Sequence, residues 1–319
     1  MISPIDSLRH NIVYAFENPN GSAVDLLKEA IEQKYVSSEI DLVVDASGPR
    51  GPRVVKRDGE PAFIQLHLPH LELLWAFTYG WLVQHEEVQR RMIDKSFDGV
   101  LEFNTAFLQR SQHLLNWASS LRGGYTRWPD GLPSPVTSTS DAEKNMCDKV
   151  NGIFQYAVAF LMYHEFAHAR QGHIGVVAPH DMTAEALATS IEMEREADDF
   201  AYRVMVALHE DDSVKRLKGW AVLVPALSSL YLVADPGGLR QMRHPHLHHR
   251  ISNLLGKLSY KDEESKFYYE YLCTFILGQF LQSFRQGTKR DQQVHETAEE
   301  LLEAQLDELD EILSQLESR

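Results

Sequence analysis

Cysteine is almost missing from this chain. Cys147 and Cys273 are the only two in 319 residues, and they do not form a CxxC pair. That excludes a disulfide scaffold and a cysteine-ligated metal. Positive charge is also scarce: 31 Lys and Arg stand against 46 Asp and Glu, a net charge of −15 at pH 7. Such a surface repels phosphate backbones, so no nucleic-acid partner is expected. Long apolar runs are lacking as well. GWAVLVPALSSLYLVA (219–234) is short of a span and carries Pro225, while FYYEYLCTFILGQFL (267–281) contains Glu270 and Gln279. Both read as buried core helices, so no membrane association is expected. The N-terminus shows no basic segment followed by an apolar one, hence no signal peptide. These absences describe a soluble, cytoplasmic protein. Its 44% hydrophobic and 24% charged content is that of an ordinary globular chain, long enough for one large domain or two small ones.

Strand signals are confined to one region. EIDLVVDAS (39–47) is β-rich, and RVVKRDGEPAFIQLHL (53–68) reads as a hairpin turning at Asp58-Gly59. Ahead of it, SAVDLLKEAIEQKY (22–35) is a helix with Ser22 as its cap. Beyond residue 69 the pattern is helical, with amphipathic segments at 71–92 and 100–121. GGYTRWPDGLPSPVTSTS (123–140) is a long loop, of a kind that either connects or serves function. Ser140 with Glu143 forms a capping-box pattern that opens a helix over about 141–173. A second helix follows over 183–208. The tail, 295–319, is acidic and places Leu302, Leu306, Leu309, Leu313 and Leu316 on an a/d seam. It suits docking on its own domain, capping a cleft, or pairing with a second copy or a regulatory partner. The expected organisation is an α/β region with a small sheet and two helices (1–140), a helical region (141–289) and the acidic C-terminal helix (290–319).

The chemistry is concentrated in YHEFAHARQGHI (163–174). Val150, Phe154, Ala157 and Leu161 mark the inward face of the helix, and the same period reaches His164 and His168. Histidines at i and i+4 share a face and can ligate one zinc ion. Glu165 lies about 100° further round, too far to be a ligand but able to reach a water on the metal as a general base. A catalytic zinc wants a third protein ligand. Gly172 and His173 are out of register for a metzincin histidine. EREAD (194–198) supplies a thermolysin-like alternative: Glu194 as ligand, with Asp198 one turn on to hydrogen-bond a zinc histidine. Glu192 and Glu196 compete with Glu194 but point to other sides of the helix. HExxH alone is a short pattern that a chain rich in histidine and glutamate can carry by chance. Its helical context, its inward face and the in-phase Asp198 make the set a metal site.

RHPHLHHRISNLL (243–255) holds four more histidines, His244, His246, His248 and His249. A second metal is conceivable there, but exposed histidines at a helix start are the commoner case. Pro245 fits the first turn of that helix, which buries Ile251, Leu254 and Leu255.

HEFAHARQGH, EREADDFA and HPHLHHRISNL, in that order, resemble three motifs of the gluzincin metallopeptidases, as seen in HtpX-type and CAAX-prenyl-protease-type members. The resemblance implies an α+β, mostly helical, zincin-like fold with a small N-terminal sheet and a helical body. It implies His164, His168 and Glu194 as ligands of Zn2+, Glu165 as catalytic base and Asp198 as their support. His244 would act beside the substrate carbonyl, where a histidine or tyrosine stabilises an oxyanion. Those families are usually membrane-embedded, unlike this chain. ImmA/IrrE-type proteases are soluble and carry a similar helix. The length, acidity and mid-chain motif are similar to the Lit phage-exclusion peptidases, cytoplasmic bacterial zincins whose type member cleaves a translation elongation factor. The expected function is a zinc-dependent endopeptidase acting on an intracellular protein or peptide. The alternative is a regulatory or phage-defence module whose zinc site is structural, or is held inactive by loop 123–140 or the acidic tail until a partner binds.

Overall fold

The structure is a computed structural model that describes residues 3–45, 47–178, 180–206, 211–233, 236–258, 262–284 and 295–317. Ala46, Ala207, Leu208 and Ala234, at the ends of expected elements, and the expected boundary at 289–290 lie outside these. Two compact units are present, Met1–Pro225 and Ala226–Arg319. The protein is α+β and mostly helical. Among the described residues no helix is long and apolar enough to cross a membrane. Cys147 and Cys273 are buried free thiols.

The first unit opens with a 3-10 turn (Pro4–Leu8), α1 (Arg9–Glu17) and α2 (Gly21–Glu32). Asn20, not Ser22, caps α2: its side-chain oxygen accepts from the Ser22 and Ala23 amides. An asparagine in the extended cap position outcompetes a serine two residues inside the helix. Then come β1 (Val36–Val43), β2 (Arg53–Val55) and β3 (Ala62–His67). β2 and β3 form the expected antiparallel hairpin, pairing Val55 with Phe63, and Gly59 takes the positive φ its turn requires. β1 adds to β3 in parallel, giving the order β1-β3-β2. Ala62, Ile64 and Leu66 face inward from the central strand.

α3 (Leu68–Ile93) departs from the amphipathic expectation, since every residue from Leu68 to His85 is buried. It runs through the middle of the unit, between α4 (Ala106–Ser120) and α5 (Asp141–Arg170), so it has no solvent face to keep polar. A Cβ at Gly80 would meet the Leu115 side chain at 2.2 Å, which is how closely α3 and α4 approach. Some of its buried polar side chains find partners: Thr78 donates to the Leu74 carbonyl at 2.6 Å and Gln84 to the Gln112 side-chain oxygen at 3.0 Å. Ser3 donates to the buried Glu72 carboxylate at 2.6 Å. α4 begins later than its pattern suggests, where Thr105 accepts from the Leu108 amide and supplies a cap.

Ser140 caps α5 as expected, but Glu143 does not close the capping box. Its carboxylate turns to Arg110, whose Nε lies 2.8 Å away, and to Thr139. Burial by itself would push the Glu143 carboxyl up; the hydrogen bonds from Arg110 and Thr139 more than offset this and hold it below the usual range. A depressed folded value stabilises the protein above the unfolded pKa, and that contribution fades as pH falls through the folded one. Arg110→Ala removes the ionic partner of this buried carboxylate, leaving it Thr139, and should cost about 3–5 kcal/mol at neutral pH. The gap between wild type and variant should narrow on acidification below about pH 4, as read from urea midpoints.

Loop 123–140 is pinned rather than free. Trp128 packs on Trp75 and Trp117, and Asn151 of α5 donates to the Pro135 carbonyl at 3.0 Å. That anchor sits about 20 Å along α5 from His164, at 1.5 Å per residue. α6 (Ala184–Met205) packs on α5, and α7 (Asp212–Leu230) contains Pro225 and buries the apolar stretch from Trp220 onward.

In the second unit, α8 (Leu247–Lys257) begins after Pro245, with His246 as its cap residue, so the proline precedes the helix instead of opening it. Ile251, Leu254 and Leu255 are buried as expected. α9 (Glu263–Phe284) and α10 (Ala298–Glu317) complete the unit. α10 docks on α9 through its seam: Leu302, Leu309 and Leu313 are buried, and Gln305 donates to the Thr274 carbonyl at 3.1 Å.

Candidate metal centre

The site lies where α5 and α6 pack together. α6 can approach because its inner face carries small buried residues, Ala186, Ser190, Ala197 and Ala201. Glu194 falls on that same face by helical spacing. Thr183 starts the helix by accepting from the Ala186 amide at 3.3 Å. On α5, Val150, Phe154, Ala157 and Leu161 are buried as the period requires, and His164 continues the series at 5% exposure.

His164, His168 and Glu194 each offer one atom to a common point. The two histidine Nε2 atoms are 3.2 Å apart. Glu194 places one carboxylate oxygen 3.2 Å from His164 Nε2 and the other 3.4 Å from His168 Nε2. Donors 2.0–2.2 Å from a tetrahedral zinc are themselves about 3.3–3.6 Å apart, so these separations are close to those such an ion imposes. Asp198, 2% exposed, lies 2.9 Å from His164 Nδ1. A carboxylate there keeps a proton on Nδ1, so in the neutral ring Nε2 is left with a bare lone pair. Where both rings turn a bare Nε2 lone pair to this point, the lone pairs and the carboxylate repel one another unless a cation joins them. Glu165 follows His164 on α5 and is half-buried, on the adjoining side of the helix.

The far nitrogen of His168 also has a partner. His168 Nδ1 lies 3.0 Å from His173 Nδ1, and His173 Nε2 lies 3.1 Å from a Glu196 oxygen. The sequence offered His173 and Glu196 only as ligands, out of register or on another side of the helix, and not as partners behind His168. The available signal was Gly172: with φ +75° it ends α5 in a left-handed turn, and the His173 amide then donates to the His168 carbonyl at 3.0 Å. That bond defines a Schellman cap, which brings the residue after the glycine against the one five positions back. Glu192, the other competitor for Glu194, sits near Arg195 on the exposed side.

A second trio, His248, His249 and Asp310, also converges. His248 Nε2 is 2.9 Å and His249 Nε2 3.1 Å from Asp310 Oδ1. His248 is fully buried, contrary to the expectation of exposed histidines, and among the described residues its Nδ1 has no hydrogen-bond partner. A metal on Nε2 would put an unmatched N–H at that position, whereas His164 and His168 both have their far nitrogens engaged. The trio reads as a hydrogen-bonded clamp between α8 and α10. His244 is exposed, in the bend ahead of α8 in the second unit. Its assignment to catalysis rests on the resemblance of the HP element.

A cavity of about 390 Å³ is lined by Ile12, Phe16, Ile40 and Leu66, among others, but by none of the metal-centre residues. In comparison with known proteins, a family model described as Peptidase U49 matches residues 64–273, about two thirds of the chain, and this stretch contains every residue of the α5–α6 site. Searches of the curated proteins and of the solved structures found no match.

Proposed function

We propose that this chain, which belongs to the peptidase U49 family, is a zinc-dependent endopeptidase of the gluzincin, Lit-like kind, acting on an intracellular protein. The observation that carries the reading is the convergence of His164 Nε2, His168 Nε2 and Glu194 at 3.2–3.4 Å. Among the described residues three side chains meet there. Three protein ligands leave a coordination position open for chemistry, whereas a structural zinc is enclosed by four. That favours an enzyme over a purely structural site.

When bound, zinc supplies Lewis-acid polarisation of a carbonyl and makes water a nucleophile at neutral pH. The protein's part is to hold and move protons. Asp198 keeps His164 in the tautomer that presents Nε2. Glu165 takes a proton from the attacking water and delivers it to the leaving amine. A substrate in extended conformation would add to an edge of the three-stranded sheet, whose order is β1-β3-β2.

The test is to map new protein N-termini after incubating the protein with a proteome extract. They should appear with the zinc-loaded protein, vanish with a chelator and return on adding zinc. A protein that holds zinc yet generates no new termini would support the regulatory alternative and overturn this reading.

A further inference from the structure

We infer that His173 and Glu196 act as a positioning relay for His168, the counterpart of what Asp198 does for His164. The inference rests on the zinc reading above and extends it to two residues outside the ligand set.

The proton bookkeeping has one consistent solution. For His168 to present Nε2, its proton must be on Nδ1. That Nδ1–H points at His173 Nδ1, 3.0 Å away, which must therefore be the acceptor. His173 then carries its own proton on Nε2, and that N–H donates to the Glu196 carboxylate at 3.1 Å. Every link has a donor and an acceptor, and the chain ends on an anion. A hydrogen bond to the far nitrogen of a metal histidine fixes its ring and raises its basicity. Here a neutral imidazole is interposed between carboxylate and ligand, so His168 is polarised less directly than His164. The His173 side chain is well shielded, at 8% exposure, while Glu196 is 53% exposed and anchors the outer end at the surface.

The relay is separable from the helix end. The Schellman cap uses the His173 backbone amide and the positive φ of Gly172, neither of which depends on the His173 side chain. The experiment is a zinc-affinity series by chelator competition on the full chain. His173→Leu removes the acceptor and should weaken zinc binding by about 10–100-fold. His173→Asn places a carbonyl oxygen where Nδ1 was and should recover most of the loss. Glu196→Gln keeps an acceptor without the charge and should lose less than His173→Leu. Melting of the metal-free proteins should stay together across the series. Wild-type zinc with unchanged affinity in His173→Leu would overturn the relay alone. Equal losses in the Leu and Asn variants would also overturn it, since a packing role does not distinguish the acceptor. A wild type that takes up no zinc would overturn the metal centre and the relay together.

Discussion

Purified protein should contain one zinc per chain, and Glu194→Ala should contain none. Glu194 addresses each histidine with a different oxygen, at 3.2 and 3.4 Å, and among the described residues it is the carboxylate that closes the trio. Removing it leaves two neutral imidazoles on one helix face, one donor short of a catalytic zinc site. The loss of affinity should far exceed the roughly 10–100-fold that follows from breaking an outer hydrogen bond. Stability should move with the metal. A ligand present at about 1,000 times its Kd adds about 4 kcal/mol to the folded state, so a chelator should lower the wild-type melting temperature clearly and the variant's hardly at all. Elemental analysis and paired melts check both halves. Undiminished zinc in Glu194→Ala would move the third ligand elsewhere.

Glu165→Gln should behave in the opposite way, keeping the zinc and losing the activity. The substitution preserves shape and removes only the capacity to take a proton. Glu165 follows His164 in the chain, half-buried beside the trio and outside the set of convergent atoms. General-base catalysis contributes about 10²–10⁴-fold, so kcat should fall by that factor while KM stays close to wild type. The variant should therefore hold substrate without consuming it, which makes it the means of identifying what is cleaved. Full activity in Glu165→Gln would remove this residue from the proton path and require another base within reach of the site.

The candidate centre was legible in the sequence because its parts are set by helix pitch. His164 and His168 share a face at i and i+4, and Glu194 and Asp198 do so on the following helix; no knowledge of the fold is needed to see either pair. The β2–β3 hairpin was legible for the same reason, since a turn at Asp58-Gly59 sets its own register. What pitch and turn chemistry do not specify is which distant segment meets which. The parallel addition of β1 to β3 depends on the crossover between them. The burial of α3 on all sides depends on α4 and α5 arriving from later in the chain. The seam on the last helix is compatible with docking or pairing, and only the packing of Leu302, Leu309 and Leu313 on α9 chooses docking for this unit. Glu196 looked like a rival ligand on the wrong side of its helix. The cap at Gly172 turns His173 back to meet it, and the same glutamate becomes the outer end of a hydrogen-bond chain. The sequence by itself determined the donor atoms and their spacing along each helix, because those are local and periodic. Tertiary structure decided which donors face one another and what stands behind them, because contacts between separate elements depend on side-chain volume and direction across the whole core.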